Sequence, residues 1–254
     1  MDQGWAQERA RLAGIEALWD PGTCDVLTRS GVAPGSRVLE VGAGGGSIVQ
    51  WLAVQVGHSG RVVAVDIDVR FVAPLASDVV EVCEVDVVTG ELPAAQFDVV
   101  HARLLLEHLK DPAAVVLKLV DALIPGGRLV VEDYDWSGFG FESDDALNNR
   151  VTEGILSFMA AAGFDRTFGR RLVGVLAGAG LGPVEGNGRS LVVDCTHPGY
   201  DFFRLSFEQL APGAERAGLI AADDVRMFRN RLDAGGPRVI TPTLVTGIGH
   251  RPVP

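Results

Sequence analysis

The segment Val38 to Ser47, VLEVGAGGGS, constrains the fold of this chain more than any other. A short β-branched run carrying a single acid, Glu40, stops at glycines 42, 44 and 46, and a helical pattern begins at once. Glycine is required where the backbone turns at positive φ, or where a ligand must approach it without meeting a side chain. A tight strand-to-helix turn with no ligand would use the same residues. The alternation recurs along the chain. Strands are expected at 37–41, 61–66, 80–85, 97–101 and 127–132, and crossover helices at 47–56, 69–77 and 112–123. Asp111-Pro112 supplies a cap and a first-turn proline for the last helix, and Pro125-Gly126-Gly127 ends it. Such alternation is the signature of a mostly parallel sheet covered on both faces.

After Glu132 the rhythm changes. Capping acids and helically spaced apolar residues from Ser143 to Gly163, a helix over 170–180, a strand near 183–194, a mostly helical stretch through 199–234 and a strand near 238–248 complete the pattern. The expected fold is α/β: a doubly wound, mostly parallel seven-stranded sheet, its last strand antiparallel, with two helical insertions (about 136–165 and 197–234) forming a roof over the pocket. The two late strands pair at the sheet edge. Residues 1–254 read as one domain, its cofactor-binding core at about 30–135.

A formal net charge of -11 opposes a phosphate backbone as partner, because nucleic-acid binding draws on lysine and arginine, and no nucleic acid is expected. Cys24, Cys83 and Cys195 are too far apart for a CxxC pair and read as small buried residues, so neither a disulfide framework nor a metal is expected. The opening MDQGWAQERARLAG lacks the apolar stretch of a signal peptide, and no run approaches a membrane span. A cytoplasmic protein without a membrane partner, a monomer or homodimer, is expected.

The next strand closes on Asp66, about 20 residues past the turn, where a carboxylate is placed to accept ribose hydroxyls. An adenosine-containing ligand follows. The dinucleotide fingerprint G-x-G-x-x-G is unmatched, since Ser47 stands at the third glycine's position; the spacing is acid-x-G-x-G-x-G. A leading carboxylate facing an ammonium is attractive, whereas beside a pyrophosphate it is repulsive.

In this motif, and in four further segments as far as about Tyr134, the chain resembles the class I, Rossmann-like methyltransferases that use S-adenosyl-L-methionine. The resemblance implies that Glu40 orients the methionine amino group. It implies that Gly42, Ala43, Gly44 and Gly46 line the methionine and ribose, and that Asp66, flanked by Ile67, holds the ribose hydroxyls. EVDV at 84–87 is similar to the family segment in which an acid, here Asp86, bonds the adenine amino group and the next backbone NH, Val87, meets the ring. FDVVHARLLLEHL is similar to the segment whose strand end, here His101 and Ala102, touches the sulfonium end, and PGGRLVVED to the fifth strand.

Methyl transfer is an in-line displacement in which alignment and exclusion of water supply much of the rate, and a base is optional. His101 is the candidate base, with cofactor contact or structure as the alternative. Arg103 is read as a substrate ligand or as a partner of Glu132 or Asp133, and His108 as structural. Asp133 and Trp136 past the fifth strand, with Tyr200, Phe203 and Arg204 in the second insertion, are the candidate substrate residues, suited to a planar or cationic group. An Arg204–Glu208 surface pair and ordinary packing are the plainer readings. The expected activity is methyl transfer to a small, partly apolar metabolite on O, N or C. The rivals are a nicotinamide-dependent oxidoreductase and a non-catalytic cofactor-binding protein.

Overall fold

The computed structural model describes residues 6–143 and 145–253. Met1 to Trp5 of the opening segment, and Asp144 of the first expected insertion, lie outside them. In chain order the elements are α1 (Glu8–Arg29), β1 (Arg37–Val41), α2 (Ser47–Val56), β2 (Arg61–Asp66), β3 (Val80–Glu84), β4 (Phe97–Arg103), α3 (Pro112–Ala122) and β5 (Leu123–Asp135). There follow β6 (Gly140–Phe141), α4 (Ala146–Ala161), α5 (Leu172–Gly178), β7 (Val184–Arg189), β8 (Val192–Val193), α6 (Tyr200–Arg216), α7 (Ala222–Asp233), β9 (Val239–Ile240) and β10 (Thr243–His250). They form two compact units. Among the described residues, a sheet unit holds Asp20–Tyr134, Thr167–Gly188 and 244–253; a helical unit holds 6–19, 135–166 and Arg189–Thr243.

The sheet unit is built on seven strands in the order β3-β2-β1-β4-β5-β10-β7. The first five pair in parallel, and the last strand is antiparallel. Side chains alternate across a strand, so each β-branched run feeds two cores at once. Leu39, Val41, Val63, Val65, Val100, Ala102, Leu129 and Val131 join one layer with Val115, Val116 and Leu119 of α3 and Leu172 and Leu176 of α5. Val38, Val62, Ala64, Val99 and Val130 join the other with Val26 and Leu27 of α1 and Ile48, Val49, Leu52 and Val56 of α2. This double burial is why the strands read as nearly continuous apolar runs. Asp111 caps α3 by accepting the Ala114 N–H at 3.0 Å, with Pro112 in the first turn.

Three expectations need correcting, and one helix is added. Residues 69–77 hold only a 3₁₀ turn, Ala73–Leu75, because Pro74 has no N–H for a longer helix and the Ser77 hydroxyl takes the Val80 N–H instead. Each late strand is split. β7 and β10 close the large sheet, while β8 and β9 pair with β6 in a three-stranded sheet of the helical unit. Pro242 cannot donate to a ladder, and Thr241 is tied through side chains to Ser190 and Leu191. Helix α1 lies outside the sequence-based expectations and runs through Pro21, which breaks no helix here. None of the three cysteines is fully buried as expected: Cys24 and Cys83 are partly buried and Cys195 is exposed, and all three are free.

The helical unit has its own aromatic core. Asp145 caps α4 by accepting the Leu147 and Asn148 N–H groups, and Phe141, Phe207 and Phe228 meet edge to face. Among the described residues no helix is long and apolar enough to cross a membrane.

Candidate active site

The glycine turn is a folded object in its own right. Gly42, Gly44 and Gly46 have φ of 75°, 54° and 86°, in the left-handed region that penalises any Cβ. A Cβ on Gly46 would also come within 2.7 Å of Leu75. Gly42 N–H and Ala43 N–H reach back to the Val65 carbonyl at 2.9 and 3.3 Å, stitching the turn to the end of β2. Asp66 is 8% exposed; its Oδ2 accepts the Gly44 N–H at 2.8 Å and its Oδ1 the Asp68 N–H at 3.0 Å. Each carboxylate oxygen has two acceptor sites, so both can take a further donor. Ile67 beside it is 60% exposed, an apolar side chain standing in water.

Asp86 lies just beyond β3. Its carboxylate accepts the Val88 N–H at 2.8 Å and the Thr89 hydroxyl at 3.0 Å, and these bonds hold it below the ordinary aspartate range. Val87 is buried by its side chain.

On the face of the sheet that α1 and α2 cover, a row of polar side chains crosses four adjacent strands. Glu40 on β1 sits in register with His101 on β4, and Arg103, two residues on, with Glu132 on β5. His101 Nδ1 is 2.7 Å from Glu40 Oε2, and its Nε2 is 3.6 Å from Glu132 Oε2. Glu132 Oε1 accepts the Thr246 hydroxyl of β10 at 2.7 Å, and Oε2 accepts that of Thr23 on α1. Arg103 donates to Thr23 at 3.0 Å and Asp20 at 2.8 Å, both on α1. His101 and Glu132 are fully buried and Glu40 is 3% exposed.

Charges so placed are tolerable only when paired. Burial alone would lower the His101 pKa, but the Glu40 charge beside it, reinforced by Glu132, raises it to about 9. That shift favours the imidazolium at neutral pH, with Nδ1 in hydrogen-bond contact with Glu40 and Nε2 within ion-pair distance of Glu132 but without a hydrogen bond. Burial likewise opposes the Arg103 charge, and Asp20 and Glu132 restore it.

On the other face of β5, Asp133 is fully buried and Oδ2 accepts the Leu106 N–H at 3.3 Å. Burial pushes its pKa up to about 8 against the pull of nearby backbone N–H groups. Glu107 accepts the Tyr134 N–H, and the half-exposed His108 lies 3.7 Å from Glu107.

The structure brings Glu40, His101 and Asp66 with the three glycines to the carboxyl ends of β1, β2 and β4. Arg103 forms its ion pair with Asp20 of α1, a helix outside the sequence reading, and the Glu132 charge also favours it. Thr23, Asp20 and Thr246 were not singled out at all; a polar residue spaced along a helix or strand gives no local sign that it caps a buried carboxylate. Within the helical unit, Trp136 packs edge-on against Phe139 and Phe164, and Phe203 stacks on Phe139 at 5.6 Å. Tyr200 is buried, its hydroxyl donating to the Pro237 carbonyl at 3.3 Å. Arg204 pairs with Asp201, not Glu208, which is taken by Arg229.

Comparison with known proteins follows this geometry. The chain is 31% identical to methyltransferase str2 of Strobilurus tenacellus over 66% of its own length and 60% of the relative's. It is 34% identical to the ubiquinone biosynthesis O-methyltransferase of Xylella fastidiosa (strain M23) over 50% and 53%. The chain thus spans a little over half the length of these curated relatives. The fold matches that of Haemonchus contortus phosphoethanolamine N-methyltransferase 2, solved with S-adenosyl-L-methionine, with a TM-score of 0.56 and 17% identity over 92% of this chain and 53% of that one. A family model for the methyltransferase domain matches residues 5–170, and the chain belongs to that family.

Proposed function

We propose that the protein transfers a methyl group from S-adenosyl-L-methionine to a small, partly apolar metabolite by direct in-line displacement. The observation that carries this is the left-handed glycine turn, set between two buried carboxylates at neighbouring strand ends, in a chain of the methyltransferase family. The residues fit the donor. Glu40 meets an ammonium, the Asp66 oxygens keep acceptor capacity for a ribose diol, the exposed Ile67 offers an apolar wall to adenine, and Asp86 with the Val87 N–H completes the purine edge. When bound, the donor supplies an electrophilic methyl on a sulfonium. The chain contributes position and exclusion of water.

His101 already carries a proton between two carboxylates, so in this reading it holds Glu40 in place instead of accepting a proton from the acceptor. Arg103 is committed to α1. Within the helical unit, Trp136, Phe203 and Arg204 are assigned to recognition of the acceptor, because aromatic faces and a guanidinium recognise flat or charged groups, with Tyr200 supporting from a buried position. The free cysteines and acidic net charge support a cytoplasmic protein with small-molecule rather than nucleic-acid partners.

Titration calorimetry with S-adenosylhomocysteine and with NAD tests the reading. S-adenosylhomocysteine is expected to bind and to raise the melting temperature, and NAD to do neither. Binding of NAD without S-adenosylhomocysteine overturns it in favour of an oxidoreductase.

A further inference from the structure

The row of buried polar residues holds one more carboxylate than donor contact requires. Glu40 alone would satisfy an ammonium, but its Oε2 is already spent on His101 at 2.7 Å. An imidazolium there cancels the Glu40 charge, and the pair by itself offers a cation nothing. Glu132 changes that balance. It stands on the far side of the ring at 3.6 Å, and hydroxyls of Thr246 and Thr23 fix both its oxygens from two different elements. Of the other groups that interact with Glu132, Arg103 on β4 pairs with Asp20 on α1 at 2.8 Å, the Cys24 thiol on α1 is pushed up to about 11 by burial and Asp20, and Asp133 on the other face of β5 is pushed up to about 8 by burial. With both carboxylates ionised about a protonated ring, Glu40, His101 and Glu132 together carry one net negative charge.

Resting on the methyl-donor reading above, we propose that Glu132 is a positioning residue for the donor: a second carboxylate behind His101 keeps the Glu40 end of the row net negative and able to accept the donor's ammonium. Glu132 acts through His101 and does not itself touch the ligand. The raised His101 pKa agrees with this geometry. The inference predicts that donor affinity does not depend on pH near neutrality, because the charge of the row is constant while His101 stays protonated.

Glu132→Gln tests it, with two ligands and a spectrum. In wild-type protein, S-adenosylhomocysteine affinity is expected to stay constant to about twofold between pH 6 and 8; in E132Q it should fall about tenfold at pH 6 and recover toward pH 8, as His101, with one carboxylate fewer, loses its proton there. Methylthioadenosine has the adenosine half and no ammonium, so it should bind both proteins alike. Nitrogen NMR of the free proteins should find both His101 ring nitrogens protonated at pH 7 in wild type and a lower titration midpoint in E132Q. If E132Q fails to fold, Thr246→Val, which removes a hydroxyl that holds the Glu132 carboxylate beside His101, should lower S-adenosylhomocysteine affinity by a smaller factor and leave methylthioadenosine unchanged. Equal loss of both ligands, an unchanged pH profile, or a neutral His101 in wild type overturns the proposal. If wild-type protein binds methylthioadenosine and S-adenosylhomocysteine not at all, the methyl-donor reading falls instead.

Discussion

Asp66 serves the fold, and on the proposed reading the ligand as well. Its carboxylate closes the glycine turn through the Gly44 N–H and the following loop through the Asp68 N–H. A ribose diol would add hydrogen bonds to the same charged acceptor, each worth about 1.5–3 kcal/mol. Asp66→Ala is expected to weaken S-adenosylhomocysteine by about 10-fold to 100-fold in calorimetry. Asp66→Asn, which keeps one acceptor oxygen for the turn, should retain more stability than Asp66→Ala while losing comparable affinity. A loss below about threefold in both would show that the carboxylate serves the backbone alone. The position of Asp66 at the end of an apolar run was legible from sequence. That it also braces the glycine turn was not, because the partner lies 22 residues away.

At the scale of elements, helix starts were the most legible feature and long-range partners the least. Asp111-Pro112 announced α3 and the acids near 145 announced α4, each by a local rule about unpaired N–H groups. Asp145 does more than cap: it also pairs with Arg231 of α7 at 3.0 Å, within the same helical unit. Asp145→Ala should therefore lower the urea unfolding midpoint by removing the cap. Asp145→Asn should recover most of it, since Asn caps as well as Asp and the ion pair is half exposed and worth little. Equal losses in the two variants would assign the effect to the ion pair instead. Helix α1 escaped notice for the converse reason. Proline and glycine speak for a turn locally, and the burial of Trp19, Val26 and Leu27 that outweighs them belongs to distant elements.

For the molecule as a whole, two buried groups set the pH dependence of stability. His101 has its folded pKa raised from 6.5 to about 9, so its contribution is full below pH 6.5 and is lost as pH rises through 9. Asp133, raised from 3.8 to about 8, also holds its proton more tightly when folded, and stability falls as pH climbs from about 4 to 8. Asp86, Asp145, Asp194 and Asp224 are lowered and act oppositely, stabilising above their unfolded values and losing that as pH falls through their folded ones. The urea midpoint should peak in mildly acidic solution and decline toward pH 9, by on the order of 2–3 kcal/mol from His101 alone. Asp133→Asn should flatten the decline between pH 4 and 8; a wild-type midpoint that rises from pH 6.5 to 9 would contradict the buried imidazolium. What the sequence determined by itself is everything governed by nearest neighbours and period: the parallel strands, the glycine turn, the cap residues and the family they resemble. Only the tertiary structure decided which polar side chains share a buried face. Register aligned Glu40 with His101, and Arg103 with Glu132, while α1 and β10 delivered Thr23 and Thr246 across 109 and 114 residues. The pairing of a buried charge depends on distance in space, and a linear pattern does not record it.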